Sequence, residues 1–158
     1  MGERALEHSG AIPRDVTPTD QPGLRLRLAH EARRIASQHG YLDALEVTTL
    51  RVLELGEPRQ MQLALRGFHG SLDAHFTLEE QVHFPALHGL RPEVEPELDA
   101  LIREHARFRD ELQRIEALLL APSGGAADAL AAFREVAARL GRHEEQEERL
   151  LERSGQPR

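Results

Sequence analysis

The chain has 158 residues, a formal charge of −7 and no cysteine, tryptophan, lysine or asparagine, and all 20 basic residues are arginine. This composition excludes disulfides, iron–sulfur clusters, c-type haem attachment, thiol nucleophiles and Schiff-base lysines, and the acidic balance opposes nucleic acid or an anionic membrane as main partner. The length suits one domain, held by packing or by a metal bound through histidine and carboxylate.

Residues 1–23 carry Gly10, Pro13, Pro18 and Pro22 with little periodicity and read as a flexible arm. The charges at Glu3, Arg4, Glu7, Arg14, Asp15 and Asp20 leave no apolar core for a secretory signal, and no apolar run approaches the ~18 residues of a membrane span. The cytoplasm is the expected compartment.

Leu24 to Leu55 predicts the first helix, with Leu28, Ile35, Leu42 and Thr49 recurring every heptad and Leu24, Ala32, His39, Leu45 and Val52 or Leu53 between them. Gly40 beside His39 weakens the pattern and is expected to give that imidazole room. Gly56-Glu57-Pro58 separates this helix from a second, which runs to about Gly89. Its seam is Met61, Leu65, Phe68, Leu72, His75, Glu79, Val82 and Ala86, and Pro85 is expected to kink or close its last turn. A loop follows at Gly89-Leu90-Arg91-Pro92. Glu95 to Leu120 predicts the third helix, through Leu98, Leu101, His105, Phe108, Leu112, Ile115 and Leu119. Ala121 to Gly125 breaks it. Ala126 to Arg153 predicts the fourth, through Phe133, Val136, Leu140, His143, Glu147 and Leu150, and residues 154–158 read as a frayed tail. No strand alternation appears. The expected fold is all-α, an up-down-up-down antiparallel four-helix bundle over residues 24–153, with the second hairpin repeating the first.

Each predicted seam contains one histidine, His39, His75, His105 or His143, and two add a glutamate one turn on, Glu79 and Glu147. Residues four apart share a helix face, so His75-x-x-x-Glu79 and His143-x-x-x-Glu147 each present an imidazole and a carboxylate together. His39 and His75 flank the Gly56 turn symmetrically, each roughly 25 Å from it at about 1.5 Å per residue. His105 and His143 do the same about the Ala121–Gly125 break. The four histidines then fall at one level. Buried carboxylates without partners cost several kcal/mol or take up a proton, and a cation removes that cost. The pattern predicts a dinuclear centre with two histidines per ion and both glutamates spanning the pair. Imidazole with carboxylate suits iron, manganese or zinc better than calcium or magnesium, and shared carboxylates favour iron.

The series His39, His75-Phe76-x-x-Glu79-Glu80, Phe84-Pro85-Ala86-Leu87, Glu104-His105 and His143-x-x-x-Glu147-Glu148 resembles the hemerythrin-like, or HHE cation-binding, domain over about residues 24–153. The resemblance implies a four-helix bundle with two non-haem iron ions joined by an oxo or hydroxo bridge, which bind O2, NO or H2O2. Oxygen-carrying hemerythrins have a further histidine where Arg109 stands, and an aspartate where Glu148 stands. The four-His, two-Glu set is closer to a bacterial branch that handles nitric oxide or peroxide or repairs iron–sulfur clusters. The expected function is therefore a diiron protein that binds or processes a small oxidant or diatomic, as a peroxide- or NO-handling oxidoreductase if it turns over, with an electron donor or iron acceptor as partner. The alternatives are an iron storage or donation protein without turnover, or a ferritin-like oxidase. The last needs two Glu-x-x-His motifs, and only Glu80-Gln81-Val82-His83 matches.

Glu80 and Glu148 either hydrogen-bond the ligand imidazoles from outside or are solvated. His83, about 40° round from Glu79, is either a base or labile ligand near the centre or, the weightier reading, a half-exposed side chain. His8, His30, His69 and His88 lie off the seams. Tyr41 points away from them. The run Glu144–Glu148, apart from Glu147, reads as a solvated face. The apolar shell expected around the centre is Leu72, Val82, Phe108, Leu112, Val136 and Leu140.

Overall fold

The computed structural model describes residues 22–122 and 124–155. They form α1 (Pro22–Leu55), α2 (Pro58–Leu78), a π-helical turn (Glu79–His83), α3 (Phe84–Leu90), a 3₁₀ turn (Pro92–Val94), α4 (Glu95–Leu120) and α5 (Ala126–Gly155), with no strand among the described residues. The breaks follow local chemistry. Gly56 donates its N–H to Val52 O at 2.7 Å, and a Cβ there would stand 2.5 Å from that oxygen, so only glycine fits. Pro58 then occupies the first turn of α2, where its missing N–H costs nothing, and Gln60 Oε1 accepts the Glu57 N–H at 3.0 Å. Gly125 is held similarly, since a Cβ would meet the Leu118 carbonyl at 2.5 Å. Glu95 and Glu97 lie in the first turn of α4, where negative charge suits the helix dipole.

The long helices pack in a ring, α1 against α2, α2 against α4, α4 against α5 and α5 against α1. Two apolar clusters fill the helical bundle. One contains Leu42, Leu65, Phe68, Leu72, Phe76, Phe108, Leu112, Phe133, Val136 and Leu140, with Phe68 and Phe133 edge to face at 5.1 Å. The other contains Leu28, Phe84, Leu87, Leu90, Val94, Leu98, Leu101 and Leu150. Along α1, α4 and α5, and along α2 continued through the π turn into α3, the seam histidine lies near the junction of the two: Leu28–His39–Leu42, Leu72–His75–Phe84, Leu101–His105–Phe108 and Leu140–His143–Leu150. A polar layer is thus enclosed by apolar packing above and below. No described helix is long and apolar enough to cross a membrane.

The structure departs from the sequence reading most after Glu79. The second predicted helix is not a continuous α-helix. Pro85 lacks the N–H that would bond four residues back, and its ring would crowd that carbonyl. The chain widens into the π turn, where the Phe84 N–H reaches back five residues to Glu79 O. One extra residue in the turn rotates everything downstream by one position. Val82, expected in the shell, is 47% exposed, while His83 is 3% exposed. Ala86 is exposed and Leu87 is buried in its place.

The other differences are small. The loop expected at Gly89–Pro92 shrinks to Arg91, because Gly89 and Leu90 close α3 and Pro92 opens the 3₁₀ turn. The tail begins later than expected. Ser154 is buried in α5, its hydroxyl donates to Leu150 O at 2.7 Å, and Arg91 Nε donates to Ser154 O at 3.2 Å. Gly40 faces outward with no atom near its Cβ position, so it gives His39 no special room. Of the arm at residues 1–23, Pro22 and Gly23 belong to α1, and residues 1–21 and 156–158 lie outside the described residues.

Candidate metal centre

The i, i+4 spacing does locally what helix geometry requires. Glu79 Oε1 lies 3.1 Å from His75 Nε2 on α2 and the π turn, and Glu147 Oε1 lies 3.0 Å from His143 Nε2 on α5. The packing ring then brings these pairs together with His39 of α1 and His105 of α4. Glu79 Oε1 is 4.0 Å from His39 Nε2, and Glu79 Oε2 is 3.5 Å from His105 Nε2. Glu147 Oε2 is 3.3 Å from His39 Nε2, and Glu147 Oε1 is 3.4 Å from His105 Nε2. His105 and His143 bring their Nε2 atoms to 2.9 Å. Each carboxylate therefore reaches imidazoles of both hairpins. Two groups of donor atoms are close enough to hold an ion each: His39, His75, Glu79 and Glu147, and His105, His143 and Glu147.

All six residues are buried. His39 Nε2, His75 Nε2, both Glu79 oxygens and Glu147 Oε2 have no hydrogen-bond partner among the described residues. Buried, unpaired polar atoms that converge on one another are costly unless something bonds them all. A cation does so, and this nitrogen–oxygen donor set fits a transition metal.

The titration of these groups shows the same conflict. Burial and the adjacent Glu147 charge push Glu79 up to about 11. Burial also acts to raise Glu147, but His105, His143 and His39 outweigh it and hold that carboxyl well below the usual range. Burial lowers His75 to about 4, with the positive charge of the other imidazoles adding to the effect. Burial opposes charge on His39 as well, yet Glu147 and Glu148 raise it to about 9. With only protons to share, one carboxylate stays neutral and one imidazole cannot charge.

A second set of residues orients the imidazoles. His39 Nδ1 lies 3.1 Å from Glu148 of α5, and His143 Nδ1 lies 2.7 Å from Glu104 of α4. His105 Nδ1 lies 2.8 Å from Glu80 of the π turn, and His75 Nδ1 lies 2.8 Å from Gln38 Oε1 of α1. The pattern closes on itself. Each helix supplies an imidazole and the residue that steadies its neighbour's imidazole round the ring. Every Nδ1 is turned outward to a partner, so every Nε2 is turned inward. Glu80 and Glu148, left between two roles by the sequence, are both on the outer hydrogen-bonding set. Gln38 has no place in the sequence reading, and Glu104 enters it only beside His105 in the resemblance series, without a role. Their signal was adjacency, since each immediately precedes a seam histidine.

Arg109 does not enter the centre. Its guanidinium donates to Asp73 at 2.5 Å and to Glu80 at 2.8 Å and lies over the Phe76 ring. Phe76 in turn stacks on His105 at 3.8 Å. His83 is buried rather than half-exposed, because the π turn swings it inward to within 3.2 Å of Glu31. Glu80 and His83 therefore face different helices, and the single Glu-x-x-His match does not converge on one ion. Glu144 is also buried, with burial raising it to about 7, so the Glu144–Glu148 run is not uniformly a solvated face. His30 and His88 are exposed, His69 pairs with Glu116 at 2.6 Å, and Tyr41 is exposed; His8 lies outside the described residues.

Neither the comparison with curated proteins nor the comparison with solved structures found a match. The family model described as "Hemerythrin HHE cation binding domain" matches residues 26–153, which span all four long helices and both donor groups. With that match added to six converging histidine and glutamate side chains, the chain belongs to the hemerythrin HHE cation-binding family.

Proposed function

We propose that the chain is a non-haem diiron protein of the four-His, two-Glu kind, which binds or processes O2, NO or H2O2 at a carboxylate-bridged pair of irons. The observation that carries this reading is the reach of Glu79 and Glu147 to imidazoles of both hairpins, with their facing atoms buried and otherwise unpartnered. His39 and His75 would hold one ion, His105 and His143 the other, and the two glutamates both. The engagement of Arg109 with Asp73 and Glu80 supports a centre without the oxygen carriers' additional histidine. An up-down-up-down antiparallel bundle is supported by the two apolar clusters, whose order along the chain reverses from α1 to α2 with α3, again to α4 and again to α5.

A pair of irons supplies one-electron changes at each metal and coordination positions for a small ligand. The protein's own contribution is to hold, orient and keep dry. The outer partners of Nδ1 present each Nε2 inward. Leu72, Phe76, Phe108 and Leu140, all buried, exclude water from one side, and Phe84 stacks on His105 at 5.7 Å from the other.

Metal analysis and the absorption spectrum of iron-loaded protein, before and after H2O2, test this reading. About two irons per chain, with the near-ultraviolet band of a coupled ferric pair, are expected of a dinuclear carboxylate site. Loading near zero or one, alike in wild type and Glu79→Ala, would overturn it. Consumption of H2O2 with a reductant marks an oxidoreductase. A reversible optical change with O2 or NO and no turnover marks a carrier or sensor. Loss of iron to an acceptor marks a donor.

A further inference from the structure

We propose that Gln38 makes the two halves of the centre unequal, so that the ion held by His39 and His75 is the more weakly bound and exchangeable one. The inference rests on the dinuclear reading and concerns which half gives up its metal.

The four outer partners occupy equivalent places in the two hairpins. Glu80 and Glu148 each follow a core glutamate, and Gln38 and Glu104 each precede a core histidine. Three of the four are carboxylates. Gln38 alone is a neutral amide. A carboxylate that accepts the Nδ1 proton of a ligating histidine makes Nε2 a stronger donor, whereas an amide oxygen does so less. The His105–His143 half has a carboxylate behind both rings, at 2.8 and 2.7 Å, and Glu80 is further fixed by Arg109. The His39–His75 half has the amide behind His75 and, behind His39, Glu148 at 3.1 Å with its side chain 49% exposed. Glu104, itself 39% exposed, stands closer to its ring at 2.7 Å, so the support from Glu148 is the weaker of the two. Both outer contacts therefore favour the His105–His143 half, against the larger group of inward donor atoms around His39 and His75.

The test is release of iron from fully loaded, ferrous protein to a colorimetric chelator, with wild type, Gln38→Glu, Glu104→Gln and the double exchange compared. Both single variants are near-isosteric, and helical content checks their folding. Wild type should release iron in two phases of equal amplitude. Gln38→Glu should slow the fast phase roughly tenfold, the lower end of what such outer partners contribute to metal affinity. Glu104→Gln should accelerate the slow phase by a similar factor, and the double exchange should transfer rapid release to the other pair. Mössbauer spectra should show two unequal iron environments in wild type that draw together in Gln38→Glu. A single release phase from fully loaded wild type, or a fast phase unchanged by Gln38→Glu, overturns the inference and leaves the dinuclear centre standing. A wild type that never loads both positions overturns the underlying reading, and the inference with it.

Discussion

Glu79 Oε2 lies 3.5 Å from His105 Nε2, so a carboxylate of the first hairpin reaches an imidazole of the second. Its other oxygen faces His75 within its own hairpin. This one side chain therefore couples the two halves of the chain, and the consequences of altering it differ in sign with and without metal. After removal of metal, Glu79→Gln should raise stability at pH 8, because the wild-type carboxyl is held up at about 11 and must keep a proton that glutamine never needs. A gain of a few kcal/mol is expected, at roughly 1.4 kcal/mol per pKa unit. With iron, the same substitution should lower the stabilisation gained on loading by about 1.4 kcal/mol per tenfold loss of affinity. Calorimetry of both proteins with and without iron checks both signs.

Three groups of the centre set most of the pH dependence of the metal-free protein, and Glu144, raised by burial to about 7, adds to the decline up to that pH. His39 is raised to about 9, so its contribution is complete below 6.5 and is lost as pH rises through 9. Glu79 is raised to about 11, so its contribution also declines throughout that range. His75 is lowered to about 4, so its contribution is complete above 6.5 and is lost only in acid. Between pH 6.5 and 9 stability should therefore fall with rising pH, at about 1.4 kcal/mol per pH unit for each proton of difference between folded and unfolded chains. Loaded with metal, the same groups are bonded to ions instead of sharing protons, and the slope should flatten. Thermal melts of chelator-treated and loaded protein across this range measure the difference.

The register after the π turn gives a third test. Val82→Ser alters an exposed side chain and should change stability by less than about 0.5 kcal/mol, whereas Leu87→Ala empties a buried position and should cost about 2–5 kcal/mol. An uninterrupted α-helix would reverse the order of sensitivity, because it would bury Val82 and Ala86. Chemical denaturation of the two variants decides between the registers.

Phe68 lies in the apolar cluster, wholly buried and edge to face with Phe133. Phe68→Ala should destabilise by about 3–5 kcal/mol while the folded fraction keeps its full complement of iron. Denaturation midpoints together with metal analysis of the folded protein separate this effect from loss of the centre.

The sequence by itself determined the four long helices, the turns at Gly56 and Ala121–Gly125, and the six buried histidines and glutamates of the seams. These are legible because helical periodicity is local: a histidine between Leu28 and Leu42, or between Leu101 and Phe108, declares its face through its neighbours. Equal distances from the turns even indicated that the four histidines share a level. Only the tertiary structure decided the hydrogen bonds that run between helices, His39 to Glu148, His143 to Glu104, His105 to Glu80 and His75 to Gln38. Each depends on the angle at which two helices meet, which no single helix's pattern records. It also decided the π turn. A proline in a helical pattern announces a disturbance, but whether the helix kinks, ends or widens depends on what the neighbouring helices will bury. Here they accept His83 and leave Val82 in solvent.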